Sequence, residues 1–166
     1  MGDPVRVGSL EIDQDLRYQH LEWRIERISW ALGGLVLLAS VAGLFGSGPV
    51  STAEAAGGSG LRVSYDRFLR DGSTNRLTIL TETGASEVLE VLVSRAYLSG
   101  MRVDRVFPEP RRIEAAGDWV RCHFDVEPHT RAEIVIDLEP TRPGRTGASL
   151  RIEGGGSLSF WQFVYP

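Results

Sequence analysis

The side chains that could do chemistry in this sequence are few and scattered. The one thiol is Cys122, and the histidines of the C-terminal half are His123 and His129. Cys122 and His123 are neighbours in an alternating run, so a strand would point them to opposite faces, which disfavours a Cys–His dyad. A metal ion usually needs three or four convergent ligands. We therefore predict no metal site, and a small buried thiol at Cys122.

Acidic residues are more numerous than histidines, but their spacing does not indicate catalysis. The candidates for acid/base chemistry are Glu127, Glu133, Asp137 and Glu139. Asp137 alternates with apolar neighbours, which predicts a solvated position on the outer face of a strand. The glycine run 154–156 is typical of a hairpin turn rather than a ligand loop. No nucleophile-elbow, zinc-protease or phosphate-loop motif is present. We expect neither enzymatic activity nor a cofactor.

The charge balance excludes one class of partner. The net charge is -4, and all 18 positively charged residues are arginines. Because these arginines interleave with acidic residues, no basic stripe for nucleic acid is expected. A single cysteine also excludes an internal disulfide bond.

An uncharged apolar segment is the strongest feature of the N-terminal part. Residues 28–46 are long enough to predict one transmembrane helix. Arg17, Arg24 and Arg27 precede it, which predicts that residues 1–27 are cytoplasmic and that the remainder lies outside the inner (cytoplasmic) membrane. A cleaved signal peptide is the alternative, because Ala53-Glu54-Ala55 has the small-x-small pattern of a cleavage site after Ala55.

The segment before the span has the spacing of a helix contact surface. We expect a helix from about residue 10 that continues into the membrane. Tyr18, Leu21 and Ile25 follow a heptad-like pattern. Gly33, Ala39 and Gly43 belong to small-xxx-small pairs that permit close helix approach. These positions predict self-association or docking on an integral membrane protein in the bilayer.

Beyond the span, the composition predicts a tether followed by a β domain. Residues 47–60 are small and glycine-rich, which is typical of a flexible linker. Residues 61–166 contain seven or eight short alternating runs separated by turn residues, which predicts an antiparallel β-sandwich. The run 88–93 could be a buried strand or a short helix, and no other helix is expected in this domain.

A resemblance follows from one of these segments and from the layout of the whole chain. Residues 119–152, with F-D-V-x-P, an alternating strand and E-P-x-x-P-G-R, resemble the later strands of immunoglobulin-like exported domains. The whole layout is similar to that of bacterial single-span membrane proteins with a small extracytoplasmic immunoglobulin-like β domain. The resemblance implies a membrane-anchored all-β protein and supplies no catalytic residues.

The C-terminal run L-S-F-W-Q-F-V-Y-P is apolar on both faces of a strand. Phe160 and Val164 share one face, and Trp161, Phe163 and Tyr165 share the other, where a solvated strand would carry polar side chains. Either other parts of the chain cover these rings, or they face a partner. We therefore expect a membrane-tethered interaction module that is an accessory or scaffold subunit. The alternative is an extracytoplasmic ligand-binding or signal-sensing domain coupled through its helix.

Overall fold

The structure, a computed structural model, describes residues 5–7, 10–12, 16–41 and 51–166, with side chains for 21–41 and 51–166. The chain divides into two compact units, Met1–Val41 and Ala42–Pro166.

The N-terminal unit contains a small strand pair and one long helix. Strands β1 (Val5–Val7) and β2 (Leu10–Ile12) pair antiparallel, and helix α1 spans Leu16–Val41. The prediction of a helix from about residue 10 is therefore wrong. V-R-V and L-E-I alternate apolar with charged residues, and this period of two favours strands over a helix.

Helix α1 presents an apolar surface to solvent. Its large apolar side chains are exposed along its whole described length: Leu21, Trp23, Ile25, Ile28, Trp30, Leu32, Leu35, Val36, Leu37, Leu38 and Val41. The predicted span continues past α1, and its residues 42–46 lie outside the described residues. Among the described residues, no helix has both the length and the apolarity needed to cross a membrane.

In its described residues, 51–166, the C-terminal unit contains eleven strands and one short helix. The strands are β3 (Thr52–Ala56), β4 (Arg62–Asp66), β5 (Phe68–Arg70), β6 (Asn75–Glu82), β7 (Val88–Ser94), β8 (Met101–Phe107), β9 (Arg112–Ala116), β10 (Trp119–Asp125), β11 (Arg131–Pro140), β12 (Gly144–Ile152) and β13 (Ser157–Tyr165). Helix α2 (Arg95–Leu98) connects β7 to β8.

These strands form two sheets. The six-stranded sheet has the order β5-β13-β12-β7-β10-β9, and the five-stranded sheet has the order β3-β4-β6-β11-β8. The register is antiparallel between neighbours except for β13 and β5, which are parallel. This mostly β arrangement is consistent with a β-sandwich and confirms the predicted all-β class.

The core follows the alternation that the sequence predicts. Ile134, Ile136 and Leu138 of β11 are buried, and so are Leu77 and Ile79 on the neighbouring β6. The core also takes in side chains from the other sheet: Leu89, Val91, Val93, Phe124, Ala148, Leu150, Ile152, Phe160 and Val164. Burying one such aliphatic or aromatic side chain contributes about 1.5–3 kcal/mol, so the core accounts for the register of both sheets.

The predicted flexible linker, 47–60, is wrong over β3. Thr52–Ala56 pairs antiparallel with β4, and the Arg67 amide donates to the Ser51 carbonyl at 2.7 Å. Ser51 and Ala53 are buried. Alanine and serine are small enough to pack closely against a neighbouring sheet, so tether-like composition here belongs to a paired strand. Residues 47–50 lie outside the described residues.

Other differences concern short elements. The sequence predicts seven or eight strands and omits β3, β5, β9 and α2. Strands of three to five residues give too few alternations for a period of two to stand out. The ambiguous run 88–93 is strand β7.

Two glycine-containing segments pack against each other by their backbones. The 154–156 run forms the predicted turn between β12 and β13. A Cβ added at Gly156 would overlap the backbone of Gly58, and one added at Gly57 would lie 2.8 Å from the Ser157 carbonyl oxygen. These glycines therefore serve close packing between the β3–β4 and β12–β13 connections.

Candidate functional site

The most distinctive exposed surface is the outer side of β13. Trp161 and Phe163 are 41% and 42% exposed, and Tyr165 is half-buried. Phe160, Gln162 and Val164 alternate with them and are buried. The predicted division of these side chains between two faces is confirmed. We call Trp161, Phe163 and Tyr165 the aromatic face.

Neighbouring strands add to the aromatic face. The Arg145 guanidinium of β12 lies 5.1 Å from the centre of the Trp161 ring, in cation–π geometry. The Phe163 and Tyr165 rings are 6.3 Å apart and tilted by 44°. Phe68 of β5 is opposite Phe163 in the register. Partial burial raises the pKa of the Tyr165 phenol. Arg70 of β5 is opposite Tyr165 in the register, so this surface combines neutral rings with arginines.

The inner side of β13 holds this surface rigidly. The Phe160 ring lies 4.2 Å from that of Tyr65 and 6.0 Å from that of Tyr97. The buried Tyr97 hydroxyl donates to Gln162 Oε1 at 2.8 Å, and Gln162 Nε2 donates to the Asp66 carbonyl at 2.8 Å. Burial raises the pKa of Tyr97 well above its usual value. Fixed packing and satisfied hydrogen bonds hold β13 in place, so its outer rings are preorganised.

The middle of the same sheet face carries a charged cluster centred on Glu90. Arg121 Nη1 and His123 Nδ1 lie 3.4 and 3.6 Å from the Glu90 carboxylate. Arg121 Nε and His123 Nε2 are buried without a hydrogen-bond partner. Leu92 faces outward between Arg121 and Arg151 in the register but is buried, as expected where arginine stems cover an apolar side chain. The arginine side chains of this cluster therefore cover the outer face of the sheet. The cluster contains no nucleophilic side chain.

Cys122 and His123 do point to opposite sides of β10, as predicted. Cys122 packs against the core, whereas His123 contacts Glu90 outside it. The thiol is only partly buried rather than fully buried, and this burial raises its pKa. His129 is exposed in a turn with a φ of 54°. The two histidines therefore do not converge, and no group of three or more candidate ligands among the described residues could hold a metal ion.

The predicted solvated acidic face is only partly exposed. Glu127 and Glu133 are exposed, but the Asp137 side chain is only 14% exposed and contacts Arg76 at 3.1 Å. Glu139 pairs with Arg102. The prediction of a solvated Asp137 is wrong, because a cross-strand arginine covers it. The arrangement gives ion pairs between neighbouring strands rather than two carboxylates facing a shared substrate position.

The predicted contact surface of α1 is described in part. Leu21 and Ile25 are exposed, and nothing lies within 4 Å of a Cβ built at Gly33, so another helix could approach closely there. Ala39 is half-buried. Gly43 and the side chain of Tyr18 lie outside the described residues. Contact through this helix stays a prediction.

Sequence reasoning missed a second exposed apolar surface. Val103 and Phe107 of β8 and Ile113 of β9 are exposed at the edges of the two sheets, where they line a cleft of about 620 Å³. The signal was weak because Val103 and Ile113 are each a single apolar side chain between two charged ones, and Phe107 is the last residue of its strand. Only the strand order shows that β8 and β9 are both edge strands.

Neither of these surfaces can be assigned by likeness to a known protein. No protein-family model matches the chain, and no curated protein gives a significant match.

Proposed function

We propose that this protein is a membrane-tethered interaction module, an accessory or scaffold subunit whose aromatic face binds a partner protein. The observation that carries the proposal is the exposure of Trp161 and Phe163 on a strand whose opposite side is fixed in the core. A solvated strand normally carries polar side chains at such positions.

The chemistry of the aromatic face suits protein recognition. Tryptophan, tyrosine and arginine are the residue types most enriched among binding hot spots, and here Trp161, Tyr165 and Arg145 lie on adjoining strands. Large rings bury about 150–250 Å² each when covered. Because β13 is already ordered, little conformational entropy would be lost on binding.

Helix α1 supports the tether in this proposal. Its apolar side chains are exposed from Leu21 to Val41, and such a surface is stabilised by lipid or by the apolar face of another helix. The orientation with residues 1–27 in the cytoplasm rests on Arg17, Arg24 and Arg27. An immunoglobulin-like relationship of the β domain belongs to the same proposal and rests on the resemblance in residues 119–152.

The sensing alternative gains no comparable support. The cleft between residues 81–90 and 152–155 is open to solvent rather than enclosed. Known ligand pockets are mostly enclosed and bury most of the ligand. This openness favours the interaction module over the sensing domain.

The deciding experiment is co-purification from membranes in mild detergent. The full chain is compared with a Trp161→Ser/Phe163→Ser variant and with Val88→Ser as a matched control, because Val88 lies on the same sheet and is also exposed. We expect the amount of co-purified membrane-protein partner to fall at least about tenfold with the double variant, equivalent to ~1.4 kcal/mol of binding free energy. With Val88→Ser the amount should be unchanged. Equal recovery with all three proteins would contradict the proposal.

The tether is tested separately. We expect the full chain to remain with membranes after alkaline extraction, and Leu35→Arg/Leu38→Arg to weaken that association. Release of the unmodified chain by alkali would contradict the tether. The proposal for the aromatic face would still be tested by the co-purification.

A further inference from the structure

The four sheet edges of the β domain differ in how well they are protected. Strands β5 and β9 are the edges of one sheet, and β3 and β8 are the edges of the other. An edge strand exposes unpaired backbone groups, and proteins protect such edges with short strands, charges, bulges or covering segments.

Three of the edges have such protection. Strand β5 has three residues. Strand β8 carries a register irregularity opposite Asp137/Leu138 and charged side chains at Arg102, Asp104 and Arg105. Strand β3 also contacts β13 of the other sheet. These devices hinder the addition of another strand.

Strand β9 has no register irregularity and no covering strand among the described residues, and its two charged side chains, Arg112 and Glu114, have opposite signs. It pairs in continuous register with β10 over Arg112–Ala116 and has no strand on its other side among the described residues. Its central Ile113 shares a face with Cys122, which packs on the core, yet Ile113 is 59% exposed. An apolar side chain on the inter-sheet side of a free edge favours further pairing.

We propose that β9 pairs antiparallel with β9 of a second copy of this chain, with Ile113 opposite Ile113 of the second copy. The two six-stranded sheets would then form one continuous sheet. The two isoleucines would cover each other and close the cleft between β8 and β9 on both copies.

Charge complementarity selects this register. With Ile113 at the two-fold axis, Arg112 of each copy lies opposite Glu114 of the other. A shift that centres Arg112 would place two arginines opposite each other, and one that centres Glu114 would place two glutamates opposite each other. Opposite charges stabilise cross-strand pairs and like charges destabilise them. Within one copy Arg112 and Glu114 already contact each other along the outer face, so both are on the side where the partner's charges would lie.

This surface shares no residue with the aromatic face or with α1, so the inference goes beyond the proposed function. It predicts a self-association that persists when Trp161 and Phe163 are changed to serine.

Disulfide cross-linking of the full chain in mild detergent tests the pairing. The background is Cys122→Ala, since Cys122 is opposite Ile113 in the register and would otherwise bond to the introduced thiol. We expect Ile113→Cys to give covalent dimers under mild oxidation. Val103→Cys is the matched control, because Val103 is an exposed side chain (45%) on the other edge, and we expect about tenfold less dimer from it.

Charge reversal then tests the register. Arg112→Glu in the Ile113→Cys protein places like charges opposite each other twice, so the cross-linked yield should fall about tenfold. Adding Glu114→Arg should restore it. Absence of the Ile113→Cys dimer, equal dimer from Val103→Cys, or a double reversal that stays as low as the single one would each overturn the proposal. If the dimers were held only by α1, the Ile113→Cys protein would give no covalent dimer.

Discussion

On the inner side of β13, Phe160, Gln162 and Val164 are buried against the other sheet, whereas on its outer side Trp161 and Phe163 keep about two-fifths of their surface exposed. Both sides are rich in aromatic and aliphatic groups. Inside, rings contact rings and every polar atom of Gln162 has a partner. Outside, Arg145 lies over the Trp161 ring, and the Phe163 and Tyr165 rings contact each other. Similar residue types therefore stabilise the fold on one side and remain available for binding on the other.

The largest expected effect is on the inner side. Phe160→Ala removes a ring that packs on Tyr65 and Tyr97 and should lower the free energy of unfolding by about 3–5 kcal/mol. Denaturant unfolding measures this, with Phe160→Leu as a milder control. A loss below ~1 kcal/mol would mean that the inner side contributes no more than an ordinary surface position.

The buried hydrogen bonds should contribute less than the ring. Gln162→Leu leaves the Tyr97 hydroxyl without its acceptor and the Asp66 carbonyl without this donor. We expect a loss of about 1–3 kcal/mol. Tyr97→Phe/Gln162→Leu should be less destabilised than the sum of the two single variants, because it leaves no buried hydroxyl unpaired. Strict additivity in a double-mutant cycle would contradict this coupling.

Because Tyr97 is buried, we expect the stability of the fold to depend on pH in the alkaline range. A free phenol ionises near pH 10, and burial raises the pKa of Tyr97 in the folded protein. Above about pH 10 the unfolded chain loses this proton while the folded chain keeps it, so stability falls by up to ~1.4 kcal/mol per pH unit. Urea unfolding at about pH 9 and about pH 11 should show a smaller decline for Tyr97→Phe. An identical decline in both proteins would exclude Tyr97 as a cause.

The smallest effect on stability is expected on the outer side. Trp161→Ala removes a partly exposed ring and its cation–π contact with Arg145, which is worth about 0.5–1 kcal/mol at exposed sites. Thermal unfolding should therefore change little, although partner binding is lost. If Trp161→Ala destabilises as much as Phe160→Ala does, the outer rings are part of the core and the proposed contrast fails.

Long alternating segments allowed much of the fold to be predicted. The faces of β13 and β11 follow from a period of two, and the opposite orientations of Cys122 and His123 follow from the same rule. Composition gave a wrong prediction of a linker for residues 52–56, because small residues occur both in tethers and in closely packed strands. The exposure of Ile113 depends on strand order, and the cover over Asp137 depends on an arginine 61 positions away in the chain. Both features depend on residues that are far apart in the chain, so no local sequence pattern predicts them.

The close contact between Gly58 and Gly156 has a consequence for sequence variation. A side chain at position 156 would collide with backbone atoms, which cannot yield as the end of a flexible side chain can. A change there is tolerated only if the connection around residues 57–58 shifts or changes length with it. The two connections, almost a hundred residues apart, are therefore expected to diverge together in related chains, and this shared constraint marks a true relative where overall similarity has faded.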